Sequence, residues 1–225
     1  MIVTIDGPAG AGKSTTARAL ANRLGFHFLD TGAMYRAVAF AALEQNLPWD
    51  EPERLVELAE QLRLEVSEDQ ISIDGRDVSK EIRTQQVTDV THYAANNPGV
   101  RAILVERQRD LAGVEDIVTE GRDQGTIVFP HAECKVFLTA SPEERARRRA
   151  NELTKRGETV SVERVLADQQ KRDRSDLTRA VGPLAAAEDA VEFITDGLSK
   201  NEVIDGLEEL VRQRMALLAA GKATY

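Results

Sequence analysis

Apolar, β-branched runs punctuate this chain at intervals, and each is followed by sequence with a different period. "IVTID" (2–6) is an almost uninterrupted apolar run and reads as a buried strand. "FHFLD" (26–30), "DIVTE" (116–120), "CKVFLT" (134–139) and "VEFIT" (191–195) have the same character. Between the first two, Ala17, Leu20, Ala21 and Leu24 recur at helical spacing, and Gly25 supplies the stop. Strand, helix and strand with tight joints make a βαβ unit, which requires a parallel sheet. Two further helix starts carry capping signals. "SPEE" (141–144) places a serine cap, a first-turn proline and a capping-box glutamate in order; "SKNE" (199–202) opens the last helix, expected to run to about Ala220.

The middle of the chain has another rhythm. "LRLEV" (62–66) and "QISIDG" (70–75) alternate apolar and polar residues, as a half-exposed antiparallel hairpin does, and "RDVSKEI" offers a third strand. The expected architecture is α/β: a five-stranded parallel sheet with helices on both faces. A single domain is expected, with a core of 1–61 and 96–225, a small antiparallel insertion over about 62–95 and a short lid over about 145–160.

Composition narrows the partners. At 225 residues, 42% apolar and a net charge of −9, the chain is a globular protein with no general surface for nucleic acid. One run departs from that balance: "EERARRRANELTKR" (143–156) has six basic and three acidic residues, and reads as a clamp for an anionic ligand rather than a solvated face. The single cysteine, Cys134, excludes an intrachain disulfide framework and falls in an apolar run, as a buried structural thiol does. No leader-like segment and no membrane span are visible, so cytoplasm is the expected location and a monomer the expected form.

The chemistry begins at "GPAGAGKST" (7–15), between the first strand and the first helix. Gly7, Gly10 and Gly12 allow backbone conformations in which successive N–H groups point inward, and the helix adds its positive N-terminus. Pro8, Ala9, Ala11 and Thr15 complete the phosphate-cradling loop. Lys13 reaches the β- and γ-phosphates of a nucleotide triphosphate, and the Ser14 hydroxyl is the expected Mg²⁺ ligand. The loop alone serves many activities. However, no guanine-reading Asn-Lys-x-Asp segment is present, nor an apolar strand ending in a double-acidic pair. A small phosphotransferase is the economical reading.

Three more stretches say where the phosphate goes. "LDTGAMYRA" (29–37) follows the second strand, "EGRDQGTIVFP" (120–130) the third, and "KRDRSDLTRAVGPLAAAEDA" (171–190) precedes the last. They place arginines at the carboxyl edge of the sheet, where open α/β folds hold ligands. With "EIRTQ" (81–85), and in this order, these stretches resemble the bacterial cytidylate kinases of the nucleoside monophosphate kinase family, from about Ile2 to Ala216. The resemblance implies transfer of the γ-phosphate of ATP to CMP or dCMP with Mg²⁺, giving ADP and CDP or dCDP. It also implies a monophosphate-binding insertion and a mobile lid. It places Thr31, Arg36, Arg101, Arg122, Asp123, Arg172, Asp176 and Arg179 around the acceptor, with Asp123 and Arg101 on the cytosine side, Arg122 near its phosphate and Asp176 facing the ribose. Arg148 and Arg149 become lid residues closing on ATP. Lys13, Arg122, Arg172 and Arg179 are the expected catalytic cations.

One departure stands out. Where the family commonly has a serine lining the acceptor pocket, this chain has His92, with Thr91 beside it; the expectation is a packed or surface histidine without catalytic role. Rival readings are a UMP/CMP or other nucleoside monophosphate kinase, a P-loop kinase of a non-nucleotide acceptor, and a non-catalytic ATP-dependent binding module. The last would bind ATP without acceptor-stimulated ADP release.

Overall fold

A computed structural model describes residues 1–67, 70–113, 115–155 and 157–222. Arg156 of the basic run and positions 68 and 69 of the insertion lie outside the described residues. Contacts divide the chain into two compact units, one formed by Met1–His27 with Asp116–Tyr225 and the other by the continuous stretch Phe28–Glu115.

The parallel sheet contains, among the described residues, β1 (Ile2–Asp6), β2 (His27–Asp30), β6 (Ile117–Gly121), β7 (Cys134–Thr139) and β8 (Val191–Ile194), in the order β2-β6-β1-β7-β8. The strand β1 lies at the centre, pairing Ile2 with Ile117 on one side and Val3 with Cys134 on the other. Val3, Thr4 and Ile5 are fully buried, as a strand covered on both faces demands. The helix α1 (Lys13–Leu24) buries Ala17, Leu20 and Ala21 and ends at Gly25, whose φ of 71° is the left-handed cap that the sequence signalled. β6 leads into the turn that carries Arg122 and Asp123, and β7 into the helix that carries the basic run. The helices α6 (Pro142–Lys155) and α7 (Val162–Leu177) form an antiparallel pair that buries Ala146, Ala150 and Val165 between them. The helix α8 (Lys200–Lys222) opens on a complete capping box, Glu202 N–H donating to Ser199 Oγ at 3.3 Å and Ser199 N–H to Glu202 Oε2 at 2.8 Å.

The second unit holds α2 (Thr31–Glu44), α3 (Pro52–Gln61), α4 (Gln85–Asn96) and α5 (Pro98–Ala112). Its antiparallel sheet, β3 (Leu64–Val66), β4 (Ile71–Ile73) and β5 (Arg76–Asp77), is the one the alternating pattern predicts, third strand included. Ile71 and Val78 pack with Ala33, Ala37 and Ile82 in a core of its own. The only tryptophan, Trp49, stacks on Tyr93 with ring centroids 4.8 Å apart.

Two predicted details differ. The strand β8, expected to be buried, stands at the edge of the sheet with Val191 and Ile194 exposed. The capping box at "SPEE" closes only halfway: Glu144 N–H donates to Ser141 Oγ at 3.3 Å, but Ser141 N–H goes to the Asp196 carboxylate at 2.9 Å. Glu144 is drawn away by Arg147 and Arg148, to which its carboxylate is bonded at 2.8 and 2.7 Å. Two charge-assisted bonds outweigh one bond to a backbone amide.

Candidate active site

The glycine loop folds as its residue types require. Gly7, Gly10 and Gly12 have φ of 150°, 79° and 92°, conformations that side chains disfavour. At Gly7 the sheet itself also forbids a side chain, since a Cβ would lie 2.0 Å from the Leu138 carbonyl oxygen. Pro8, Ala9 and Ala11 are buried, while Gly10, Gly12, Ser14 and Thr15 are exposed. Lys13 is buried and donates to the Pro8 carbonyl at 2.8 Å, which folds its ammonium back over the loop. Burial and the nearby Arg122 guanidinium push its pKa down from the usual lysine range, against the pull of Glu120, Asp6 and Asp176.

Two acids that the sequence did not flag complete this edge. Ser14 Oγ donates to Glu120 Oε1 at 2.7 Å; Glu120 ends the apolar run of β6, beside β1 in the sheet. Its signal was available as a lone acid closing a buried strand next to the loop, although the doubled form sought there is absent. Asp6 closes β1, is almost fully buried, and accepts from Gln124 N–H at 2.9 Å and Gly125 N–H at 2.7 Å. It thereby fixes the π-helical turn Gln124–Val128 that follows the Arg122–Asp123 pair. Burial raises its pKa to about 6 despite those two donors.

The arginine motifs converge on one carboxylate. Arg122 Nε bonds Asp176 Oδ2 at 2.8 Å, and Arg179 Nη2 bonds Asp176 Oδ1 at 2.7 Å. Burial alone opposes the Arg122 charge, but Asp176 and Glu120 outweigh it and its pKa rises. Asp176 is likewise held below the carboxylate range: burial pushes its pKa up, and Arg122, Arg179 and Arg172 more than offset that. Arg172 lies one helical turn before Asp176 on α7, and Asp123 is buried.

The remaining predicted residues take other positions. Thr31, Arg36 and Arg101 belong to the second unit. Thr31 is buried at the start of α2; Arg36 Nη1 donates to Thr88 Oγ1 at 2.8 Å. Arg101 is buried, donates to the Ala95 carbonyl at 3.1 Å and lies 5.3 Å over the Tyr35 ring. In the basic run, Arg148 is bound to Thr195 through its hydroxyl at 2.9 Å and its carbonyl at 2.6 Å, and Arg149 to Glu152 at 3.1 Å. It is Arg145, which the sequence did not single out, that reaches the glycine loop, donating to the Ala9 carbonyl at 2.9 Å. His92 is exposed on α4, its Nδ1 2.8 Å from the Asp89 carbonyl and its ring 4.1 Å from Tyr93; Thr91 bonds back to the Val87 carbonyl at 2.7 Å.

Comparison with known proteins decides the family. The family model described as cytidylate kinase matches residues 3–213, essentially the whole described core. This chain belongs to the cytidylate kinase family. Among curated cytidylate kinases it is 53% identical to one from Rhodopirellula baltica, covering 100% of this chain and 98% of that one. A cytidylate kinase from Caldanaerobacter subterraneus subsp. tengcongensis is 44% identical, with 94% of each chain covered. Among solved structures, an uncharacterized protein from Eubacterium ventriosum ATCC 27560 aligns with a TM-score of 0.51 at 12% identity, over 93% of this chain and 96% of that one, a likeness of fold alone. Membership of a kinase family fits a loop built for nucleotide polyphosphate with a cluster of arginines at the same sheet edge. No helix among the described residues is long and apolar enough to cross a membrane.

Proposed function

We propose that the protein transfers the γ-phosphate of ATP to CMP or dCMP, releasing ADP and CDP or dCDP. The observation that carries the reading is the meeting, within one unit, of the Lys13 loop, the Ser14–Glu120 pair and the Arg122–Asp176–Arg179 cluster. Phosphoryl transfer spreads negative charge over oxygens and needs positioning and cations more than a base. The acceptor phosphate is already an anion, so arginine forks suit it and no histidine is required.

The loop amides and Lys13 hold the ATP polyphosphate, with Arg148 and Arg149 assigned to its outer side. Ser14 and Glu120 present a hydroxyl and a carboxylate 2.7 Å apart, hard oxygen donors that fit Mg²⁺, and these two residues would hold it. Held there, it would supply positive charge against that of the phosphates. Arg122, Arg172 and Arg179 meet the acceptor and transferring phosphates, and Asp176 keeps two of those guanidiniums oriented while facing the ribose. Thr31, Arg36 and Arg101 are assigned to acceptor binding, as the resemblance implies. Asp123 accepts from the cytosine amine and Arg101 donates to the base's acceptors; uracil reverses part of that pattern. The lid over 145–160 excludes water, so that ATP is not hydrolysed.

The test is ADP release with MgATP and CMP, dCMP, UMP, AMP or GMP in turn. Rapid turnover with CMP and dCMP only is expected. Strong turnover with UMP or AMP moves the base assignment and keeps the reaction. ATP binding with no acceptor-stimulated turnover overturns the kinase reading in favour of a binding module. Asp123→Asn is expected to erode the preference for CMP over UMP by about tenfold or more, roughly what one lost hydrogen-bond discrimination carries.

A further inference from the structure

The reading above gives Arg145 no individual role, yet its side chain is tied into the first unit at several points and is only 6% exposed. Nε donates to the Ala140 carbonyl at 3.1 Å, just beyond β7, and Nη1 to the Ala9 carbonyl of the glycine loop at 2.9 Å. The same Nη1 lies 2.7 Å from Asp173 Oδ2 on α7. One rigid, permanently charged fork therefore ties three segments together: a sheet edge, the phosphate loop and the helix that bears Arg172 and Asp176.

Each tie has a consequence for the site. In a phosphate nest the amides must face the anion, so the intervening carbonyls must face away and find other donors. Ala9 is such a carbonyl, and Arg145 is its donor. Asp173 stands three residues before Asp176, whose carboxylate orients Arg122 and Arg179. Fixing Asp173 against the loop sets the rotation and height of that turn of α7. A second contact makes the same join: Gln169 Nε2 donates to the Arg145 carbonyl at 3.3 Å and lies where a Cβ on Gly10 would come within 2.6 Å of it. Loop and helix are packed against each other with no room for slack.

We propose that Arg145 is a positioning residue for phosphoryl transfer. Through the Ala9 carbonyl it holds the loop in its phosphate-binding form, and through Asp173 it registers the arginine-bearing helix against that loop. The inference rests on the ATP-site reading given above. It separates the two ties: the bond to Ala9 governs nucleotide affinity, and the bond to Asp173 governs the rate of transfer once ATP is bound.

Arg145→Lys, Arg145→Ala and Asp173→Asn test this, with binding of a fluorescent ATP analogue, kcat, KM for ATP and melting temperature measured on the full chain. Asp173→Asn keeps the Arg145–Ala9 bond. It is expected to bind the analogue within about threefold of the parent while kcat falls at least tenfold. Arg145→Ala is expected to lose at least tenfold in analogue affinity as well as in kcat, and Arg145→Lys to recover part of the affinity and little of the rate. Should Arg145→Ala fail to fold, the other two variants still decide. The inference is overturned if folded variants bind and turn over within threefold of the parent. It is equally overturned if affinity and rate fall only in step with the folded fraction. A parent protein that does not bind the analogue overturns the ATP-site reading itself, which is a distinguishable failure.

Discussion

Lys13 and Asp6 occupy neighbouring buried positions at the carboxyl end of β1 and have their ordinary ionisation disturbed in opposite senses of charge: each is pushed toward its neutral form. For Asp6 this has a measurable consequence for stability. Its folded pKa of about 6 lies above the usual carboxylate value, so the native state holds the proton more tightly than the unfolded chain. The contribution is fully present below the unfolded value near 4 and is lost as pH rises through 6. A rise of that size is worth about 3 kcal/mol at most. Urea unfolding between pH 4.5 and 7.5 should show this slope in the parent, and Asp6→Asn should remove most of it while lowering stability overall, since Gln124 and Gly125 donate to different oxygens and the amide replaces one of them with a donor NH2. An undiminished slope in the variant would assign the dependence elsewhere. Gly7→Ala makes a simpler case: with φ at 150° and the Leu138 carbonyl 2.0 Å from the new methyl, a loss of more than about 3 kcal/mol is expected in thermal or urea unfolding. The glycines and Lys13 could be read from the sequence because their types are nearly unique solutions to cradling phosphate, whereas the roles given to the arginines rest on the family resemblance. Asp6 and Arg145 could not, because an acid at a strand end and an arginine among arginines gain their meaning only from what lies opposite them; Glu120 offered only the weak signal of a lone acid closing a buried strand.

Elements were legible where local chemistry sets them. The Gly25 stop, the Ser199 box and the alternating strands of the small sheet all depend on residues a few positions apart. The half-closed cap at Ser141 escaped because its partner, Asp196, comes from a distant loop. Helix α5 offers a test at this scale. Asn97 Oδ1 accepts from Gly99 N–H at 2.9 Å and Val100 N–H at 3.2 Å, and its Nδ2 donates to the Pro52 carbonyl at 2.9 Å, so one side chain both caps α5 and anchors α3. Loss of an N-cap side chain alone costs about 1 kcal/mol, and the abandoned carbonyl adds to it. Asn97→Ala should therefore lower stability by about 2 kcal/mol, and Asn97→Asp, which keeps the cap but not the Pro52 bond, by less; equal losses would deny the cap its share. The basic run carries pairing that its net charge hides. Arg147, Arg148 and Arg149 each meet a glutamate within four residues, an arrangement that net charge along the chain does not reveal.

At the scale of the whole molecule, the parallel sheet was foreseeable from strand character and tight βα joints, but its order was not. β1 sits between β6 and β7, and neither partner is near it in sequence. The unit Phe28–Glu115, by contrast, is one unbroken stretch with its own sheet and core, and it carries Trp49. Refolding from urea should therefore restore Trp49 emission before it restores binding of an ATP analogue, since the glycine loop needs β1, β6 and β7 in register. Simultaneous recovery of both signals would show that the units fold as one. The same arrangement bears on the order of manufacture. Ile2 waits for Ile117, about 115 residues later, and at typical synthesis rates that is roughly 6–23 s. During that interval the ribosome has delivered an apolar strand with no neighbour on either side, while the intervening unit emerges whole. The central strand of the finished sheet is thus the segment of the newborn chain with most need of a chaperone's cover.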